Sequence, residues 1–127
     1  MFVDVVQPRT IPFRNLLGHP DLIAERLQWV HDQLDFDMVL SGHATPEWLS
    51  GTKQDVIEQR QYYLDLSSAV DTARAVGLQD ASPEMKTLVR SMLAPKYRAW
   101  RRFDSEFQGL NVEGMLGWRS GKAFYPL

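Results

Sequence analysis

Both strand-like runs of this chain lie near its start, and nothing after them reads as a strand, so at most a small sheet can form. Phe2-Val3-Asp4-Val5-Val6 is short, apolar and β-branched. Residues 36–40 repeat that character. Between them, Pro8, Pro12, Gly18 and Pro20 mark a loop over 7–20. An amphipathic helix follows. Pro20 is tolerated in its first turn, and Asp21 meets the positive end of the helix dipole. Its apolar stripe is Ile23, Leu27, Val30 and Leu34. Strand, helix and strand make a βαβ unit, which implies parallel pairing and a right-handed crossover. The expected fold class is therefore α/β: one βαβ unit with a parallel strand pair, then a mainly helical C-terminal region. One domain or part of one is expected over 1–127, with the βαβ unit and its loop in 1–52 and a helical tail in 53–127. The first strand begins beside Met1, as though the chain started within a sheet.

The later residues carry helix punctuation. Thr45-Pro46-Glu47 opens a short turn. Thr52 and Asp55 form a capping-box pattern at the head of a long helix to about Val76, which Gly77 stops. Ser82-Pro83-Glu84 caps the next helix, and Pro95 is expected to break or kink it. A further helix through Trp100 and Phe103 is expected, then a short one capped by Asn111. Tyr97, Trp100, Phe103 and Phe107 recur at helical spacing and read as one buried stripe, with the neighbouring arginines in solvent. That reading is preferred to a nucleic-acid patch. The net charge of −2 gives no basic field to attract nucleic acid or an anionic membrane.

The chain has 127 residues and no cysteine, which excludes disulfides, thiolate zinc sites and cysteine nucleophiles. The lack of cysteine fits a reducing, cytoplasmic setting. No signal peptide and no membrane-spanning run is read.

Ser41-Gly42-His43, at the end of the second strand, is the strongest candidate for chemistry. Ligands gather outside the carboxyl ends of strands in α/β sheets, and Asp4 on the first strand could face the same crevice. A neutral imidazole and a carboxylate suit Zn²⁺. His19 and His31 read as an ordinary loop residue and a helix-boundary residue. Asp35 and Asp37 read as turn chemistry. Ser41 beside His43 lacks the third group that a serine hydrolase needs.

The segments 2–13 and 34–46, with the run from Tyr97 to Gly114, resemble the C-terminal half of a metallo-β-lactamase-fold hydrolase. That resemblance implies half of an αββα fold and metal-dependent hydrolysis. It also implies that Asp4 and His43 are metal ligands to zinc and that the complete enzyme takes a small-molecule substrate. The family's His-x-His-x-Asp-His run is absent from this sequence. Two ligands cannot complete a catalytic zinc site, so the isolated chain is expected to be inactive. The alternative is a non-catalytic helical interaction or oligomerisation module. Unpaired strand edges would make the chain a homo-oligomer or the mate of a missing N-terminal half, with the strand region at the contact.

Overall fold

Helix-forming punctuation, more than strand propensity, decides the architecture. The computed structural model describes residues 9–12, 20–36, 39–40 and 50–121. These hold helices α1 (Pro20–Gln33), α2 (Lys53–Ala75), α3 (Pro83–Tyr97) and α4 (Phe107–Arg119). Two short segments, β1 (Val39–Leu40) and β2 (Ser50–Gly51), lie between α1 and α2.

α2 starts where the capping pattern places it. The Asp55 carboxylate accepts from the Thr52 backbone N–H at 2.6 Å and from the Thr52 hydroxyl at 3.3 Å. Its buried residues, from Val56 through Tyr62, Tyr63, Leu66 and Val70 to Ala73, recur at helical spacing and form the face against which the other helices pack. Gly77 ends the helix at φ 90°. The Gly77 N–H donates to the Arg74 carbonyl at 3.0 Å and the Leu78 N–H to the Ala73 carbonyl at 3.2 Å, a Schellman closure. α3 is capped as expected: Ser82 Oγ accepts from the Met85 N–H at 3.1 Å, and Pro83 occupies the first turn.

Pro95 does not break α3. It sits exposed in the last turn, so its missing N–H and ring disturb only the end of a helix that finishes at Tyr97. The helix expected through Trp100 and Phe103 does not form. That stretch is a series of turns, with the Trp100 N–H on the Tyr97 carbonyl, the Phe103 N–H on the Trp100 carbonyl and Arg102 at φ 63°. Nor does Asn111 cap the last helix. α4 begins at Phe107 and holds Asn111 buried in its middle.

The expected α/β class is overturned. β1 pairs antiparallel with β2 in the register Val39↔Gly51 and Leu40↔Ser50; the other expected strand, residues 2–6, lies outside the described residues. A two-residue ladder cannot supply the sheet of a βαβ unit or of half an αββα fold. The described chain is all-α. The apolar run at 36–40 supplies only the two residues of β1, because strand propensity depends on what a run packs against. Here α1 buries its stripe on α2 instead of on a sheet face.

The larger core cluster lies among α2, α3, α4 and the turn after α3, and includes Tyr62, Leu66, Val89, Tyr97, Phe103 and Met115. Ile11 joins it from the segment 9–12. That segment is strapped along the turn: the Ile11 N–H donates to the Arg101 carbonyl at 2.9 Å and the Arg101 N–H to the Arg9 carbonyl at 3.0 Å. Asn111 Nδ2 then donates to the Pro12 carbonyl at 3.0 Å. A smaller cluster joins Ile23, Ala24 and Leu27 of α1 to Val56 and Tyr63 of α2. No described helix is long and apolar enough to cross a membrane.

Candidate functional site

The expected metal ligands Asp4 and His43 lie outside the described residues, as do His19, Asp37 and Ser41. His31 lies on α1, part-exposed, with Nδ1 2.8 Å from the Asp32 carboxylate. Asp35 is exposed just past α1. Among the described residues, no three His, Cys, Asp or Glu side chains are grouped to hold a metal ion. The described residues do not fit a zinc centre.

Polar chemistry concentrates instead where α2 meets the end of α3. The Asp65 carboxylate accepts from Tyr97 OH at 2.5 Å, Gln61 Nε2 at 2.8 Å and Lys96 Nζ at 3.0 Å. Partial burial pulls its pKa upward, but these three donors outweigh that and hold it below the ordinary aspartate value. Burial, then the Asp65 carboxylate, push the Tyr97 phenol far above the ordinary range. A carboxylate saturated by three donors and a phenol locked in its protonated form make a structural clamp, not an acid–base pair poised near neutrality. Behind it, Tyr62 is fully buried. Its hydroxyl donates to Gln108 Oε1 at 2.6 Å and accepts from Asn111 Nδ2 at 3.1 Å, and burial raises its pKa strongly. The rings of Tyr62, Tyr97 and Trp100 pack together, with centroids 4.7–5.8 Å apart.

An open cleft of about 360 Å³ lies over this clamp, with Ile57 and Trp100 in its wall and Arg9, Glu58 and Lys96 at its polar positions. Opposite charges are mixed there.

The second feature is the outward face of α1. Ile23, Ala24 and Leu27 hold the helix to α2. The opposite side carries Leu22 (50% exposed) and Trp29 (57% exposed), two turns apart. Glu25 and Arg26 stand exposed between them. Spacings of three, four and seven put all four on one face. Sequence reasoning followed the buried stripe of α1 and passed over this one. The signal was present: Leu22 and Trp29 are large apolar residues at helical spacing outside the stripe that the helix needs for its own packing.

No protein-family model, curated protein or solved structure matches this chain. With an all-helical fold and no matching family model, the resemblance to half of a metallo-β-lactamase-fold hydrolase is withdrawn, and the zinc and hydrolase expectations that rested on it lose their support.

Proposed function

We propose that this chain is a non-catalytic helical interaction module, that its contact surface is the outward face of α1, and that its simplest product is a homo-oligomer. The observation that carries the reading is Trp29, more than half exposed on a helix whose other side is already committed to the core. Single exposed apolar residues are ordinary. A Trp and a Leu on one face, with charges between them, form a patch of the kind that partners bury. The contact expected at the strand edge of residues 2–6 moves, in this reading, to a helix face. The Asp65 clamp supports the non-catalytic part, since this carboxylate, with three donors, is spent on holding α2 to α3. The lack of cysteine suits a reducing compartment such as the cytoplasm.

Sedimentation equilibrium over a wide concentration range tests the proposal. The expected result is reversible association from the 14.6 kDa monomer. Trp29→Ala should weaken it by about tenfold or more, as for a central aromatic anchor, with helix content unchanged. A chain that stays monomeric at all concentrations, or association indifferent to Trp29→Ala, overturns the reading.

A further inference from the structure

We propose that the cleft over the Asp65 clamp binds a free α-amino acid with an aromatic side chain, its carboxylate met by Arg9 and its ammonium by Glu58. Three separate elements build this cleft, and its volume of about 360 Å³ lies within the range of small-molecule sites. α2 contributes Ile57, Glu58 and Gln61, which share one face at helical spacing. The end of α3 and the turn after it contribute Lys96 and Trp100. Arg9 comes from the segment strapped along that turn. Its carbonyl accepts from the Arg101 N–H at 3.0 Å, and it stands at φ 46°, a conformation that residues other than glycine seldom take. The strap thus fixes the backbone from which the arginine reaches the cleft.

The charges decide the ligand. Lys96 is spent, with Nζ on the Asp65 carboxylate at 3.0 Å, and Gln61 Nε2 is spent on the same group at 2.8 Å. Arg9 and Glu58 are not. Among the described residues neither makes a hydrogen bond or an ion pair, even though both line one cleft. One unspent positive and one unspent negative charge suit a ligand that carries both signs. A simple anion or cation would meet a like charge there, which is repulsive. An α-amino acid bears its carboxylate and its ammonium on one carbon, so the two walls can hold it from opposite sides. The apolar part of the cleft, Ile57 and Trp100, is only partly buried. The Trp100 ring is held at 28° to the Tyr62 ring and nearly edge-on to Tyr97, so its plane is fixed. A flat aromatic side chain is the shape that packs against such a ring. A ligand of about a dozen heavy atoms in an open site should bind with a dissociation constant on the order of 0.1–1 mM. α1 packs on Val56 and Tyr63, away from this face of α2, so the proposal stands apart from the association reading.

Titration of the full chain with L-phenylalanine at pH 7 provides the test, read by the NMR shift of the Trp100 indole N–H, which a Trp100→Phe spectrum identifies. A saturable shift is expected. 3-Phenylpropionate lacks the ammonium and phenethylamine lacks the carboxylate, so each should bind roughly fivefold more weakly or worse, one partly exposed ion pair being lost. Glu58→Gln should lose the preference for L-phenylalanine over 3-phenylpropionate, and Arg9→Gln the preference over phenethylamine. Arg9→Lys keeps the charge and should bind L-phenylalanine within about threefold of wild type. Far-UV circular dichroism confirms that each variant is folded. No saturable shift at ten times the expected constant overturns the proposal. So do single-charge analogues that bind as tightly as the amino acid, or folded Arg9→Gln and Glu58→Gln variants that keep the wild-type preferences.

Discussion

Asp65 is a hub of the polar structure between α2 and α3. It sits on α2 and gathers the end of α3 through Tyr97 and Lys96, with Gln61 adding a bond from its own helix. Because its folded pKa lies below the unfolded value near 3.8, its contribution is fully present above that pH. The contribution is lost as pH falls through the lower, folded value. We expect Asp65→Asn to lower stability at pH 7, with the difference from wild type shrinking as pH drops below about 3.8. Urea midpoints measured from pH 7 to pH 2 check this. A difference that stays constant to the acid end would mean that the carboxylate charge contributes nothing beyond what the amide supplies. None of this was legible in the sequence. Asp65 lies between Leu64 and Leu66 with no motif around it, and its donors come together only after α3 has docked.

At the scale of elements, the chain is readable where the interactions are local. Thr52 with Asp55, Ser82 with Pro83, and Gly77 mark ends that the structure keeps, because each acts within four residues of itself. These ends make a direct prediction. Ser82→Ala removes the acceptor for the Met85 N–H and should cost about 1 kcal/mol. Gly77→Ala places a Cβ at φ 90° and should cost roughly 1–2 kcal/mol, although no side chain lies near enough to clash. Denaturant unfolding at fixed pH reads both; a neutral Gly77→Ala would mean that the α2 terminus re-forms elsewhere. The same local logic failed where distant groups decide. Tyr97, Trp100, Phe103 and Phe107 look like one helical stripe, and all four do turn toward the core. The segment 9–12 nevertheless takes the backbone groups of Arg101, and the chain between α3 and α4 becomes turns. Asn111 looks like a cap because asparagine favours caps. Its side chain instead reaches the Pro12 carbonyl and the Tyr62 hydroxyl, ninety-nine and forty-nine residues away in sequence. The valine-rich runs look like strands, and only Val39–Leu40 among the described residues takes that form.

At the scale of the molecule, the described residues form two cores of unequal size, and that division predicts how they open. The cluster among α2, α3 and α4 contains fourteen buried residues and is tied further by Lys86 to Glu113 at 3.1 Å and Arg119 to Asp71 at 2.8 Å. Among the described residues the cluster holding α1 contains five, and the main packing of α1 is on α2. Local opening free energies follow such differences in buried contact. α1 should therefore release from α2 at a lower free energy than global unfolding, with α3 and α4 still formed. Native-state hydrogen exchange should show the amides of α1 exchanging as one group, ahead of those of α2 that face the larger cluster. Leu27→Ala, which removes a buried side chain from the smaller cluster at a cost of about 2–5 kcal/mol, should speed exchange throughout α1 and leave α3 nearly unchanged. Association through the outward face of α1 would add protection to that same group, so raising the protein concentration should slow α1 exchange selectively. Uniform exchange across α1 and α3 at every concentration would show that the two clusters unfold as one unit, and that α1 is held more tightly than its buried residues account for.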